Sequence, residues 1–278
     1  MDFIDTHQHL IWRNRFGYGW TAGIPALAEG DFTPEAYRAE TKDLGILGTL
    51  FMECAVDEAD YQAEARHVAT RVGEAGLLGL IASCRPETDA GFASWLDECT
   101  DLGVNGFRRV LHVVPDDLSQ TDTFRTNLRK IGQRGLAFDL CFAARQLSIA
   151  EELARACDDQ PLVLDHCGVP DIAGGAFDDW ARAITRLAAL PHMQVKLSGI
   201  SAYCAPGTAS VEVLKPWVEH VLASFGPARV VWGSDWPVVL LGSGLTDWIA
   251  MSRALLAGLS PADQAAIGQG NARRLYRL

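Results

Sequence analysis

Eight short apolar runs, separated by longer amphipathic segments, constrain the fold of this chain more than any other feature. The runs are too continuously apolar for strands with one face in water, so they fit parallel strands that are buried on both sides. They lie at residues 3–7, 47–54, 77–83, 104–109, 136–141, 161–166, 193–198 and 229–234. Strand and helix that alternate eight times predict an α/β protein built as one (β/α)8 TIM barrel over residues 1–278.

The segments between the runs carry helix signals. Thr33 followed by Pro34 is an N-cap ahead of the first helical position and predicts a helix to about Leu44. Ser260-Pro261 begins another helix in the same way. Further helices are predicted at residues 58–75, 89–102, 122–134, 147–157, 178–190, 211–225 and 246–257, and a short one begins at Asn271. A doubly wound open sheet is the alternative, but no glycine-rich phosphate turn follows an early strand.

Composition narrows the possible partners. The chain has 278 residues, 49% of them hydrophobic, and a formal net charge of −11, which argues against nucleic acid or an anionic membrane as partner. Its seven cysteines are odd in number and scattered, with no Cys-x-x-Cys pair, so a disulfide framework is not expected. We therefore expect a soluble cytoplasmic protein that acts on a small molecule. The sequence leaves the oligomeric state open.

The ends of the first and last runs carry the residues with the clearest chemical meaning. His7 and His9 are two apart at the end of a strand and therefore project in the same direction. The last run ends in Gly233-Ser234-Asp235. The carboxylate of Asp235 reaches the two histidines only if the first and last strands are neighbours, as they are in a closed barrel. Active sites of this fold lie at the carboxyl ends of the strands.

Other strand ends supply further candidates, each with a structural alternative. Glu53 either contacts substrate or forms an ion pair with one of the two arginines that end the fourth run, Arg108 and Arg109. Lys196 and Asp139 lie inside strand runs and are expected to pair within the barrel. The remaining candidates for substrate contact are His112, Trp12, Tyr203 and Trp236.

The loop at about residues 11–32 is the longest in the chain and is rich in aromatic residues. It is either a packed flap over the barrel mouth or a lid whose rings, Trp12 among them, contact the substrate. The two interpretations are compatible. His67, His192 and His220 are isolated histidines, for which we expect structural roles.

Five motifs follow one another through the chain. They are His7-x-His9, Gly106-Phe107-Arg108, Leu164-Asp165-His166-Cys167-Gly168, Lys196-Leu197-Ser198-Gly199 and Gly233-Ser234-Asp235-Trp236-Pro237. In this order they resemble the amidohydrolase superfamily, and within it the branch of lactonases that act on sugar lactones and on a pyrone dicarboxylate. The similarity runs from residue 3 to about residue 277. It implies a (β/α)8 barrel that hydrolyses a carbon–oxygen ester in a ring.

The resemblance also bears on metal content. Superfamily members with two metals use a carboxylated lysine on the fourth strand and a further histidine. Here the fourth run ends in Arg108, and the fifth, around Asp139, has no histidine, so a binuclear site is not expected. The resemblance implies either catalysis without metal or one divalent ion such as Zn²⁺, for which imidazole and carboxylate are suitable ligands. The predicted ligands are His7, His9, His166 and Asp235. No organic cofactor is expected.

The same residues suggest a mechanism. Asp235 is the predicted general base that deprotonates water, and Arg108 is the predicted stabiliser of the oxyanion. His7, His9 and His166 polarise the carbonyl directly or through a metal.

The loops that follow His166 and Ser198 contain no arginine, which favours a neutral, hydroxyl-rich lactone such as a fucono- or rhamnono-lactone over a dicarboxylate. Glu53 suits this substrate because it accepts hydrogen bonds from sugar hydroxyls. Three alternatives remain: a metal-dependent decarboxylase of the same superfamily, a lactonase for a carboxylated lactone, and a binding protein on a barrel scaffold.

Overall fold

A computed structural model describes all 278 residues and contains eight parallel strands that pair in chain order. The strands are β1 (Phe3–Gln8), β2 (Ile46–Met52), β3 (Leu77–Ser83), β4 (Gly106–Val110), β5 (Ala137–Cys141), β6 (Leu162–Leu164), β7 (Met193–Ser198) and β8 (Val230–Gly233). The helices are α1 (Pro34–Glu40), α2 (Tyr61–Ala69), α3 (Phe92–Asp101), α4 (Asp122–Gln133), α5 (Leu147–Ala156), α6 (Phe177–Ala188), α7 (Val211–Phe225), α8 (Leu245–Leu256), α9 (Pro261–Ala265) and α10 (Asn271–Tyr276).

Contacts between β1 and the end of β8 bring the two edges of the sheet together. The Asp235 N–H donates to the His7 carbonyl at 2.8 Å, and the His9 N–H donates to the Trp236 carbonyl at 2.7 Å. The Thr6 hydroxyl donates to the Trp232 carbonyl at 2.8 Å. These bonds confirm the predicted (β/α)8 barrel, and they place Asp235 beside the histidines of β1.

The apolar core has two parts. The larger part lies between the strands and the surrounding helices. The smaller part fills the lower end of the barrel interior and consists of Leu50, Met52, Ile81, Ala137, Val163, Val231 and Tyr276. Two positions further along, the chain places buried carboxylates: Asp139 follows Ala137 on β5, and Asp165, just after β6, follows Val163. The interior therefore changes from apolar to charged toward the carboxyl ends of the strands.

Helix starts follow the predicted caps. The Thr33 hydroxyl accepts from the Ala36 N–H, and the Ser260 hydroxyl accepts from the Asp263 N–H. The largest differences from the predicted helices are at α1 and α2. The first helix ends at Glu40 rather than near Leu44, and α2 is shorter than 58–75 because one-turn 3₁₀ segments at 58–60 and 74–76 flank it.

The strand predicted at 161–166 covers only β6, because the chain turns sharply after Leu164. His166 and Cys167 have φ angles of 52° and 53°, in the left-handed region that side chains other than glycine rarely adopt. Such residues cost about 1–2 kcal/mol each and persist where the surroundings hold them. The turn carries His166 out of the strand direction and over the mouth of the barrel.

The long segment between β1 and α1 packs onto the barrel as a flap. Ile11 and Phe32 pair their backbones, and Phe16 and Tyr18 are buried. Trp20 remains partly exposed and donates its indole N–H to the Cys54 carbonyl at 2.8 Å. No helix in the structure combines the length and the apolar character that crossing a bilayer requires.

Candidate active site

The Asp235 carboxylate lies against the two histidines of β1 at the carboxyl end of the barrel. Its Oδ1 atom is 3.3 Å from Nε2 of His9 and 3.6 Å from Nε2 of His7. All three side chains are almost completely buried. The sequence therefore predicted correctly that residues more than two hundred positions apart meet at this point.

Two neighbours fix the proton of His7. Arg108 Nη1 is 3.1 Å from His7 Nε2, and a guanidinium only donates, so Nε2 is the acceptor and the ring proton is on Nδ1. On the other side, Asp165 Oδ1 lies 3.4 Å from Nδ1, so the carboxylate faces that proton. Burial lowers the pKa of His7 well below its ordinary value, and the Asp165 charge only partly offsets this. His7 is therefore neutral, with its lone pair on the Nε2 side.

His9 has the same orientation. Its Nδ1 atom is 3.0 Å from the Met52 carbonyl, an oxygen that can only accept, so Nδ1 carries a proton. In the neutral ring, Nε2 then presents a lone pair to Asp235 Oδ1. Acceptor atoms of His7, His9 and Asp235 thus converge on one small space. Such an arrangement needs a shared proton or a cation between the acceptors.

Arg108 is held mainly by Glu53. Its Nε donates to Glu53 Oε1 at 2.6 Å, and its Nη2 donates to the Glu53 carbonyl at 2.6 Å. The second carboxylate oxygen of Glu53 accepts from the Ala55 N–H at 2.8 Å. Burial by itself would raise the pKa of Glu53, but the charge of Arg108 and the hydrogen bonds from Arg108 and the Ala55 N–H together outweigh burial and hold that pKa below its ordinary value. The interpretation of Glu53 as an ion-pair partner of Arg108 is confirmed.

A chain of buried charges continues from His7 into the barrel. Lys196 Nζ is 3.2 Å from Asp165 Oδ1 and 2.9 Å from Asp139 Oδ2, which confirms the expected pairing of Lys196 with Asp139. Burial opposes ionisation of Asp165, but Lys196 and His7 outweigh it and hold the pKa of Asp165 well below its ordinary value. Asp139 also accepts from the Tyr276 hydroxyl at 2.8 Å.

The backbone around Asp235 is braced by Asp5. One Asp5 oxygen accepts from the Ser234 N–H at 2.8 Å and the other from the Ser234 hydroxyl at 2.5 Å. The Ser234 hydroxyl in turn accepts from the Trp236 N–H at 3.0 Å, and the Tyr37 hydroxyl donates to Asp5 at 2.6 Å. Asp235 itself has a φ of 60°. Residues on both sides of this strained position are therefore tied to β1.

Comparison with known proteins identifies the family. An amidohydrolase family model matches residues 4–278. The chain belongs to the amidohydrolase family. The predicted assignment to a hydrolase of this superfamily is confirmed.

Individual relatives of this amidohydrolase extend the comparison. It is 30% identical to an L-fucono-1,5-lactonase of Burkholderia multivorans over 99% of this chain and 96% of that protein. It is 27% identical to a 4-sulfomuconolactone hydrolase of Rhizobium radiobacter over 84% of this chain and 75% of that protein. A crystal structure of an amidohydrolase from Burkholderia multivorans with bound zinc superposes with a TM-score of 0.89, at 27% identity and complete coverage of both chains.

The donor set of this amidohydrolase fits one divalent metal ion. Zinc bonds of about 2.0–2.1 Å at tetrahedral angles separate neighbouring ligand atoms by about 3.4 Å. The spacings of 3.3 Å and 3.6 Å from Asp235 to the two histidines match this value. His7, His9 and Asp235 would hold the ion, which when bound supplies Lewis-acid polarisation of a carbonyl.

His166, the fourth predicted ligand, lies farther from Asp235 than His7 and His9 do. Its Nδ1 is 2.9 Å from the Ser198 hydroxyl and 3.8 Å from Asp235 Oδ2. The Tyr203 ring lies 6.2 Å from the His166 ring, centre to centre, and is half-buried at the mouth. Of the predicted substrate-binding residues, Glu53 and Tyr203 thus lie next to the histidines and Arg108.

Of the other four residues predicted to bind substrate, three contact residues away from the histidines, and His112 remains at the mouth. Trp12 packs against Phe51 and His67, toward α2. Trp236 packs against the rings of Phe32 and Tyr37 and donates to Glu40 of α1. Arg109 is paired with Glu87. His112 is exposed at the mouth, with its ring near Cys141.

Sequence reasoning missed two residues of this site, Asp165 and Asp5. Asp165 directly precedes His166 in the quoted motif, and Asp5 lies two residues before His7. Both are inaccessible to solvent. A carboxylate next to a candidate histidine at a strand end was the available signal for Asp165, because histidines at metal and catalytic sites are commonly oriented by a second side chain.

Proposed function

We propose that this amidohydrolase opens a small lactone ring by hydrolysis and that its substrate is a neutral sugar lactone, of the aldonolactone class. The observation that carries the proposal is the placement of Asp235, a buried carboxylate in contact with two imidazoles, one of which also contacts the guanidinium of Arg108. The full-length similarity to an L-fucono-1,5-lactonase supports the same reaction.

Asp235 is the general base of the proposed reaction. Hydrolysis requires that a water molecule lose a proton as it attacks the lactone carbonyl. Asp235 offers a carboxylate at the carboxyl end of the barrel, and its backbone is fixed by the Asp5–Ser234 hydrogen bonds. His9 and His7 direct their Nε2 atoms to the same place and orient the water and the carbonyl group. A positioned base of this kind contributes about 10²–10⁴ in rate.

Arg108 stabilises the oxyanion that forms when water attacks. A guanidinium has five N–H groups. Contacts with Glu53 and His7 use three of those of Arg108, which leaves two N–H groups to donate to the substrate. Because the guanidinium is buried and fixed, it acts where charge develops without reorganising, and the loss of one such donor typically costs about 10²–10³ in rate.

Charge at the barrel mouth favours a neutral substrate. Three arginines near the carboxyl ends of the strands are neutralised by nearby carboxylates: Arg109 by Glu87, Arg85 by Glu58 and Arg145 by Asp116. A carboxylated or sulfonated lactone needs cationic partners of its own, since each anionic group is best bound by a free guanidinium. A sugar lactone needs donors and acceptors for hydroxyl groups instead.

A substrate panel tests the proposal. Aldonolactones of both ring sizes, a carboxylated lactone and an aromatic carboxylic acid are incubated with the protein, and acid release is followed with a pH indicator with and without chelator. We expect hydrolysis of neutral aldonolactones. Faster hydrolysis of the carboxylated lactone would contradict the assigned substrate class. Carbon dioxide release from the aromatic acid, without lactone hydrolysis, would show that the protein is a decarboxylase and not a lactonase.

Substitution of the base tests the mechanism. Asp235→Asn keeps the shape of the side chain and removes the proton acceptor, so lactone turnover should fall by at least about 10² while the protein stays folded. His220→Ala is the matched control, because His220 lies at α7 and bonds to the Ala181 carbonyl far from the mouth. Turnover and melting temperature are measured on the same samples. Near-normal turnover by Asp235→Asn would refute the proposed role of Asp235 as general base.

A further inference from the structure

The Arg108 guanidinium contacts the same atom of His7 that a metal ion would use. Arg108 Nη1 lies 3.1 Å from His7 Nε2, and that nitrogen also faces Asp235 Oδ1 at 3.6 Å. We propose that Arg108 and a divalent cation compete for the lone pair of His7 Nε2, so that Arg108 lowers the metal affinity of this protein. The inference concerns metal binding and does not depend on the identity of the substrate.

The two contacts exclude each other for a simple chemical reason. A neutral imidazole has one lone pair in the ring plane, and a nitrogen that accepts from a guanidinium cannot at the same time bind a metal ion. His7 cannot offer Nδ1 instead, because Nδ1 carries the proton and faces Asp165 Oδ1 at 3.4 Å. The other tautomer, with the proton on Nε2, would leave the Asp165 carboxylate facing a lone pair on Nδ1. The metal must therefore displace Arg108 from His7.

Displacing Arg108 is costly because the side chain is anchored. Glu53 holds it through a carboxylate oxygen and through the backbone carbonyl, both at 2.6 Å, and Asp165 Oδ2 lies 3.7 Å from Nη1. Arg108 is only 3% exposed, so water does not replace the contact that its guanidinium gives up. Repulsion between two cations in a buried site adds to this cost. The guanidinium of Arg108 thus occupies the lone pair of His7 Nε2 that a metal ion would need.

Metal affinity provides the test, with no substrate present. Metal-free wild-type protein and Arg108→Met compete with a chromophoric chelator for Zn²⁺. We expect Arg108→Met to bind Zn²⁺ at least about tenfold more tightly, a difference of about 1.4 kcal/mol. Arg109→Met is the matched control, since Arg109 is the next residue of the same strand but is paired with Glu87, and its affinity should equal that of wild type. Equal affinities of Arg108→Met and wild type would overturn the proposal.

A second comparison separates competition for one atom from general charge repulsion. In a His7→Phe background the metal cannot use His7, so competition predicts that Arg108→Met no longer raises the affinity. A gain that persists in that background would refute competition. Because His7→Phe alters a buried residue, ¹⁵N histidine spectra of Arg108→Met supply an independent measurement. Zn²⁺ should shift the His7 Nε2 resonance by the amount that metal ligation causes, and an unshifted Nε2 at saturation would likewise refute the proposal.

Discussion

At the scale of single residues, Glu53 and Arg108 form a buried ion pair within the site. Both side chains are almost inaccessible to solvent. A buried pair of this kind is a weak source of net stability, but breaking it by removing one partner leaves an unpaired buried charge and typically costs about 3–5 kcal/mol. Replacing either residue alone should therefore destabilise the folded protein, because the other residue keeps its buried charge.

Glu53→Gln should lower the free energy of unfolding by about 3–5 kcal/mol at neutral pH, because Arg108 loses its charged partner. The pKa of Glu53 is lowered in the folded protein, so its contribution is fully present above its ordinary value of 4.5 and is lost as the pH falls through the lower folded value. The difference in stability between wild type and Glu53→Gln should therefore shrink in acid. Urea unfolding from pH 7 to pH 3 measures it, and a difference that grows in acid would contradict the assignment.

At the scale of elements, the turns after β7 and β8 fit against each other. A methyl group built at Gly199, which follows β7, would lie 2.4 Å from Cβ of Asp235 and 2.6 Å from its Oδ2 atom. Gly199 also has a φ of 56°. The close approach of the two turns keeps Asp235 directed toward His7 and His9, so the absence of a side chain at position 199 is part of the geometry of the site.

Gly199→Ala should reduce lactone turnover by at least about tenfold, since the new methyl group must push the base out of position. Gly207→Ala is the matched control, because Gly207 also has a positive φ of 73° but has open space where the methyl group would lie. Both variants should lose about 1–2 kcal/mol from backbone strain. Turnover is measured together with thermal unfolding. Equal loss of turnover in the two variants would show that strain alone, and not contact with Asp235, is responsible.

At the scale of the whole molecule, the last helix closes the lower end of the barrel and reaches toward the site. The Tyr276 hydroxyl of α10 donates to Asp139, which pairs with Lys196, which lies beside Asp165 and so connects to His7. Burial raises the pKa of Asp139 to about 6, against the opposing effects of Lys196 and the Tyr276 hydroxyl. The polar interior of the barrel is thus one continuous set of contacts from the C-terminus to the mouth.

Tyr276→Phe should lower the free energy of unfolding by about 1–3 kcal/mol, because it keeps the ring that fills the barrel but removes a donor from a buried carboxylate. Tyr61→Phe is the control, since the hydroxyl of Tyr61 is only half-buried and bonds to Gln62. That control should change stability by less than about 0.5 kcal/mol. Denaturant unfolding measures both, and equal effects would contradict a special role for the contact with Asp139.

The sequence by itself determined the architecture of this protein. Parallel strands inside a ring of helices are buried on both faces, so each must be an apolar run, and eight such runs are visible without coordinates. Caps such as Thr33 and Ser260 act on their own helices and are equally local. The carboxyl ends of the strands all lie at one mouth of a closed barrel, and this rule was enough to predict that His7, His9 and Asp235 lie close together.

Only the tertiary structure decided how the charges of the site are distributed. Arg108 and Glu53 are 55 positions apart, and Lys196 contacts Asp139 and Asp165 from another strand. Sequence spacing along one strand gives the face on which a side chain lies, but which neighbours it meets across the barrel depends on strand register and on the turns that follow each strand. The proton of His7 is fixed by two such neighbours, Asp165 and Arg108, and no local pattern encodes their approach because it arises only when the barrel closes.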